Sequence, residues 1–392
     1  MSQPIYMDHN ATTPVDPRVV EAMLPCMTEQ FGNAASRTHA YGWAAAKLAE
    51  LAREHLAKGI GARPEEIIFT SGATESNNLA IKGAGWALGR AGSRLVTCAT
   101  EHKAVLDPFQ VLARTGFAVT VLPVDDVGRL DPGRLAGALA EGSILVSVML
   151  ANNETGTLQP IREIAATCRE RGVLFHCDAT QAVGKIPVNV DALGVDLLSF
   201  SAHKIYGPKG VGALYVRRRT PRLHLVPLLD GGGHEQGLRS GTLNVPGIVG
   251  FGRAVEIALQ DMPRESVRLR ELRDRLDDAI RSRLEDVTLN GDPTERLPNT
   301  LNLAFSGVDG PALLVGLKEV AVASGSACTS ADPKPSHVLL AMGRNKELAN
   351  ASIRFSLGRT NTPQDVETVA DAVVREVTRL RRGSPLRGGR RN

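Results

Sequence analysis

The sequence predicts an α/β fold: a large domain built on a mostly parallel seven-stranded sheet, then a smaller α/β C-terminal domain. Two observations carry this. From about residue 60 to 220, short apolar runs alternate with polar clusters and stretches of helical spacing. Beyond about 260 that alternation gives way to long amphipathic segments. A near-continuous apolar run of roughly four to eight residues suits a strand buried on both faces, as in a parallel sheet covered by helices. At 392 residues the chain has room for two domains.

The elements follow in order. Ile67-Ile68-Phe69, Leu95-Val96-Thr97, Val119-Thr120-Val121, Ile144 to Leu150, Val173-Leu174-Phe175 and Leu197 to Phe200 are the candidate parallel strands. Val211 to Val216, after a Gly-Pro turn, reads as an added antiparallel strand. Residues 264–286 place Leu269, Leu272, Leu276, Ile280 and Leu284 three or four apart among Arg, Asp and Glu, which predicts a long helix with a solvated charged face. Thr362-Pro363-Gln364-Asp365 is a capping box with Pro at the first helical position. Val366, Val369, Val373, Val377 and Leu380 then mark the buried stripe of a final helix.

Composition excludes several classes. With 43% hydrophobic and 22% charged residues the chain is not of the disordered type. The longest stretch we find without a charged residue, 240–252, holds polar residues and glycines and is too short to span a bilayer. The first residues lack both the basic start and the apolar core of a secretory signal, so a cytoplasmic protein is expected. A net charge of +4 is too mild to argue for nucleic acid. Arg379, Arg381, Arg382, Arg387, Arg390 and Arg391 crowd the C-terminal end, read as a solvated tail. The five cysteines form no metal-ligand spacing, and no intrinsic metal site is expected.

Ligands of open parallel sheets bind beyond the carboxyl ends of the strands. Five runs end there in polar clusters: Thr70 to Asn77, Glu101-His102-Lys103, Asn152-Asn153-Glu154, Asp178 with Gln181, and Ser201 with His203 and Lys204. Ser-Gly-Ala-Thr-Glu-Ser between a strand and a helix suits a phosphate, but it lacks the lysine of a nucleotide P-loop. Asp178 would be expensive to bury without a partner, and its plain reading is an ion pair or a helix cap. Lys204 alone is one lysine among many; at a strand end it can be desolvated and made nucleophilic. A phosphate cradle, a buried carboxylate and a lysine on one rim are what pyridoxal phosphate needs.

These residues carry a resemblance. Ser71-Gly-Ala-Thr-Glu-Ser-Asn-Asn78, Glu101-His-Lys-Ala-Val105, Asn152-Asn-Glu-Thr-Gly156, Asp178-Ala-Thr-Gln181 and Ser201 to Gly210 resemble the cysteine desulfurase family of the NifS and IscS type, within the class V aminotransferases. Agreement runs from Tyr6-Met-Asp-His-Asn-Ala-Thr-Thr13 to Ser352-Ile-Arg-Phe-Ser-Leu-Gly-Arg359. The resemblance implies a fold-type I pyridoxal-phosphate-dependent transferase and a homodimer. It implies a large domain over 15–260, and a small one over 1–14 and 261–392 that carries a catalytic cysteine loop and the basic tail.

Carried over, Lys204 would hold the cofactor covalently, Asp178 its pyridinium proton, and His102 would stack on the ring and share in proton transfer. Ala73, Thr74, Ser201 and His203 would hold the phosphate, with Thr242 reaching in from a partner subunit. Asn153 and Gln181 would contact the ring, and Arg354, with Asn10 and Asn153 beside it, would position the substrate. Cys328, in the small-residue and proline-rich segment Ala323 to Pro335, would take the sulfur of L-cysteine as a persulfide, leaving alanine. The persulfide would pass to an acceptor protein, an iron–sulfur scaffold or a tRNA-thiolation enzyme, and could meet an iron–sulfur cluster there. Cys26, Cys98, Cys168 and Cys177 read as small buried hydrophobes. Two features depart from the family pattern: Gly32-Asn-Ala-Ala-Ser36 replaces Gly-Asn-Pro-Ser-Ser, and the chain ends in Arg-Gly-Gly-Arg-Arg-Asn where housekeeping members dock their scaffold. The alternative is another enzyme of the same fold, a selenocysteine lyase or an aminotransferase, the latter having no use for the Cys328 loop.

Overall fold

The structure is a computed structural model that describes residues 3–139, 141–218, 223–324 and 335–383. After a short strand, β1 (Ile5–Tyr6), the chain lays down one sheet from β2 (Ile67–Thr70), β3 (Arg94–Cys98), β4 (Ala118–Leu122), β5 (Ser143–Ser147), β6 (Leu174–Asp178), β7 (Leu197–Ser201) and β8 (Gly212–Val216). Their spatial order is β2-β8-β7-β6-β5-β3-β4. Only β8 runs against the rest, paired antiparallel with both β2 and β7. The expected mostly parallel seven-stranded sheet is what forms.

Alternation along the strands feeds two cores. Phe69, Phe175, Phe200 and Tyr215 enter one face, and Ile68, Leu95, Leu145, Leu174, Leu197 and Leu214 the other. Each such side chain, fully buried, contributes roughly 1.5–3 kcal/mol. One run differs from expectation: β4 is an edge strand, and Val121 is 49% exposed, because nothing pairs beyond it.

A third core lies C-terminal. β9 (Val287–Leu289), β10 (Thr300–Phe305), β11 (Val320–Ala321) and β12 (Ser352–Ser356) complete the strands, with order β12-β10-β9 in a second sheet. β1 returns from the N-terminus to pair in parallel with β11. The amphipathic helix begins much earlier than its spacing suggested, running Val245–Arg281 through Pro263. Its first half packs Ile248, Phe251, Val255 and Ile257 into the large core, and its second half packs Leu269, Leu272, Leu276 and Ile280 into the small one. The final helix, Pro363–Arg382, has the expected capping box, Thr362 with Asp365.

The basic end is not wholly a solvated tail. Arg379, Arg381 and Arg382 belong to that last helix, and Arg381 is buried, its guanidinium donating to the carbonyls of Ser306, Glu285 and Asp286. Three carbonyls at a chain reversal are thereby satisfied by one side chain. Arg387, Arg390 and Arg391 lie outside the described residues, as does Cys328. No helix among the described residues is long and apolar enough to cross a membrane.

Candidate active site

The carboxyl ends of the parallel strands open onto a cavity of about 610 Å³. It is lined by Ala73 and Thr74 after β2, His102 after β3, Asn153 after β5, Asp178 and Gln181 from β6 onward, and Ser201, His203 and Lys204 from β7 onward. Arg354 of β12 and Asn10 close it from the small-core side. The exception is Thr242, which is exposed and does not line this cavity of the single chain. Residues 32–36 do not line it either.

The phosphate end is built by a helix start. Helix Ala73–Leu88 opens at the cavity, and its first-turn amides have no carbonyl within the helix to bond. β8 can pass this close because residue 212 is Gly: a Cβ there would sit 2.6 Å from the Cα of Gly72. Glu75 in the first turn pairs with Arg239 at 2.9 Å, and that partner with two hydrogen bonds from Ser71 holds its carboxyl below the usual range against the effect of burial.

Asp178 is 5% exposed, and its carboxylate accepts from the Asn77 amide at 2.8 Å and from the Thr180 backbone N–H at 2.9 Å. It caps the turn and stands ready for a cation as well. His102 lines the cavity and caps helix Lys103–Arg114, its Nδ1 accepting from the Ala104 N–H at 3.0 Å. Burial, with help from Lys204, pushes its pKa down, so the ring is neutral at physiological pH and carries its proton on Nε2. His203 is pushed down to about 4, by burial first and then by Lys204.

Lys204 donates to the carbonyls of Asn10 at 2.6 Å and Ala11 at 2.7 Å. Two residues later Tyr206 holds a left-handed φ of 65°, fixed by Thr13 Oγ1 on its N–H, by the Asp16 N–H on its carbonyl and by the Arg359 guanidinium stacked 4.2 Å over its ring. Such strain costs on the order of 1 kcal/mol or more and sets the exit of the lysine-bearing turn. Arg354 is 4% exposed and donates to Asp8 at 2.6 Å and to the Asn153 carbonyl at 3.0 Å. Asn10, expected to help position the substrate, lines the cavity, is 1% exposed, and has its side chain taken up by Thr300, Asn153, Lys185 and Asn299.

Residues that periodicity and spacing could not flag complete the picture. Asp8 meets Arg354, Asn77 meets Asp178 and Lys185 meets Asn10 across roughly 100 to 350 positions, pairings that no local pattern encodes, while Lys185 also meets Gln181 four residues before it. Glu154 is a further case. Ser336 donates to it at 2.5 Å, and burial pushes its pKa up to about 7 against the pull of Ser336 and Arg354. In the unfolded chain the group titrates near its ordinary 4.5. Between these values the folded state holds the proton more tightly, so stability is highest below about 4.5 and falls as pH rises to about 7. Replacing Glu154 by Gln should remove a fall of up to about 3 kcal/mol, measured by urea unfolding across that window. An unchanged slope would refute it.

The cavity fits pyridoxal phosphate on its own terms. Among buried polar atoms left without a partner are Asn77 Oδ1, Thr180 Oγ1 and Arg354 Nε, all on residues that line it. A helix start for the phosphate, a bonded carboxylate and a lysine are present together. Among the described residues no group of His, Cys, Asp or Glu could hold a metal ion.

This fold and site define a class. A family model described as aminotransferase class-V matches residues 5–369, and the chain belongs to that family. Within it the chain falls among the cysteine desulfurases. It is 57% identical to the cysteine desulfurase IscS of Anaeromyxobacter sp. (strain Fw109-5), over 98% of this chain and 95% of that one. A solved NifS-like protein superposes with a TM-score of 0.89 at 38% identity, covering 96% of this chain and all of the other. SspA, solved in complex with cysteine, superposes with a TM-score of 0.80 at 36% identity, covering 90% and 98%.

Proposed function

We propose that the chain is a pyridoxal-phosphate-dependent cysteine desulfurase that converts L-cysteine to L-alanine and holds the sulfur as a persulfide on Cys328. The observation that carries this reading is the convergence of Lys204, Asp178 and the start of helix Ala73–Leu88 on one cavity. Bound there, the cofactor supplies an electron sink for charge developing at the substrate Cα.

The chain's residues do the rest. Ala73, Thr74, Ser201 and His203 hold the phosphate, Gln181 and Asn153 face the ring, and Asp178 keeps its nitrogen charged. Arg354 receives the substrate carboxylate in the manner of paired guanidinium donors. Lys204 moves the proton at Cα, and His102, neutral and protonated on Nε2, exchanges a proton near the ring. The thiolate of Cys328 attacks the substrate sulfur; an S–S bond forms, the C–S bond breaks, and its electrons end in the alanine carbon skeleton. Both flanks of that cysteine's segment are fastened beside the cavity: Ala323 bridges Arg354, and Ser336 bonds Glu154, next to Asn153.

The test is alanine formed from L-cysteine by the yellow protein with a reductant present. No alanine from the yellow protein would refute the reading. Asp178→Asn should weaken cofactor binding about 10–100-fold, the worth of a hydrogen bond to a charged group, measured by absorbance titration. Retention equal to the wild type would refute the role of Asp178.

A homodimer accounts for Thr242, which needs a second subunit to reach a cofactor. It also suits an exposed apolar strip of Val20, Leu24 and Met27 on helix Pro17–Thr28 beside Phe31, Tyr41 and Trp43. Leu24→Arg with Phe31→Asp should halve the mass seen by light scattering; an unchanged mass would refute this face. We place residues 15–260 in the large domain, and 1–14 with 261–392 in the small one, with the seam near Pro263. The described cysteines are free and buried, which suits a reducing cytoplasm. The acceptor is a sulfur-receiving protein.

A further inference from the structure

Lys185 has no part in the roles given above, yet it lies at the centre of the network beneath Lys204. Its ammonium donates to Gln181 Oε1 at 2.7 Å and to Asn10 Oδ1 at 3.1 Å. Gln181 then donates through Nε2 to the Asn10 carbonyl at 2.9 Å, the same oxygen that accepts from Lys204 at 2.6 Å. Two lysines thus meet across one asparagine and one glutamine.

The ammonium at one end and backbone carbonyls at the other together decide how those amides face. A side-chain amide has two ends of nearly equal shape, one a donor and one an acceptor, so packing alone fixes neither flip. An ammonium only donates. Each amide must therefore turn its oxygen to Lys185 and its NH2 group the other way. For Asn10 the opposite end meets Thr300 Oγ1 at 2.9 Å and the Asn153 carbonyl at 3.2 Å, both acceptors. For Gln181 it is the NH2 group that meets Asn10, beside Lys204.

The arrangement is costly. Burial, with the cations Lys204 and Arg354 close by, lowers the proton affinity of Lys185, and His9 and His203 feel its charge from their side. A methylene stem with an uncharged end would fill the space at less cost.

We propose that Lys185 is a positioning residue of the active site, whose ammonium locks the Gln181 amide so that its NH2 group, not its oxygen, is offered beside Lys204. The proposal rests on the pyridoxal phosphate reading. A fixed NH2 group there stabilises a phenolate oxygen on a cofactor carried by Lys204, and so lowers the proton affinity of the nitrogen joining them. With the ammonium removed, only the Asn10 carbonyl still holds that NH2 group, and the Gln181 amide can swing away from the place where it would donate.

The experiment compares wild type, Lys185→Met and Lys185→Gln after reconstitution with pyridoxal phosphate, by the pH titration of the visible band and by cofactor affinity. Lys185→Met removes the donor at nearly constant volume. Its titration should move up by about one unit, tenfold in proton affinity, and cofactor binding should weaken about tenfold. Lys185→Gln restores an N–H donor without the charge and should recover most of both shifts. A methionine variant that titrates like the wild type overturns the proposal, and so does a glutamine variant shifted as far as the methionine one. Should the methionine variant fail to fold, Lys185→Ala replaces it. That variant leaves room for water, which donates and accepts alike and fixes neither amide, and the same shift is required of it. Wild-type protein that takes up no cofactor overturns the cofactor reading itself; normal uptake with an unmoved titration overturns only the role of Lys185.

Discussion

Lys204→Ala is expected to form no alanine from L-cysteine above about 0.1% of the wild-type rate, and to show no visible band from a covalently held cofactor. The residue serves as tether and as proton carrier, and proton transfer by a positioned side chain is alone worth about 10²–10⁴-fold. The fold should survive. The substitution removes hydrogen bonds to the carbonyls of Asn10 and Ala11, and that of Asn10 keeps the Gln181 amide. Alanine analysis, together with borohydride trapping and mass measurement of the lysine peptide, checks both parts. Alanine at the wild-type rate, or a trapped adduct at another lysine, would remove Lys204 from the mechanism.

Cys328→Ser is expected to separate cofactor from chemistry. The yellow protein should form normally, while alanine production falls to about 1% or less, since a hydroxyl gives no thiolate and makes no S–S bond. No other described thiol can stand in. Burial pushes Cys98 and Cys168 up to about 12 and raises Cys26 and Cys177 as well. Alkylation after brief exposure to cysteine, followed by mass spectrometry, should find the extra sulfur on residue 328 of the wild type alone. Undiminished alanine in the serine variant would hand the reaction to a chemistry that needs no thiol.

Much of this site was legible because strand ends announce themselves. Ile67-Ile68-Phe69 before Ser71-Gly72, and Leu197 to Phe200 before Ser201 to Lys204, are local patterns, and a parallel sheet brings all such ends to one edge. What periodicity and spacing could not carry is contact between distant segments. Lys185 follows a strand by several residues in Val183-Gly184-Lys185-Ile186, which resembles any solvated turn; its meaning comes from Asn10. Asn10 is buried by β12 and the turn before β10, contacts that its own stretch of sequence does not announce. The amphipathic helix was recognised only over its C-terminal part. Its N-terminal half is buried in the large core, packed chiefly against helices Pro17–Thr28 and Ala40–Ile60, and so lacks the polar face that defines a helical stripe. Arg381 read as tail because a charge cluster reads as solvated until carbonyls are found around it.

The long helix through Pro263 also governs how the molecule comes apart. One helix of 37 residues, with one half sunk in each core, makes the two cores partners in a single cooperative unit. Neither can melt away while the other keeps its half of the rod intact, except by severing the rod where proline has already removed one amide donor. Exchange of helix amides with solvent should therefore be slow within the two buried stretches, about 249–258 and 269–280, and quickest between them around residue 263. Residue 263, where the helix passes from one core to the other, is thus the weakest point of the rod.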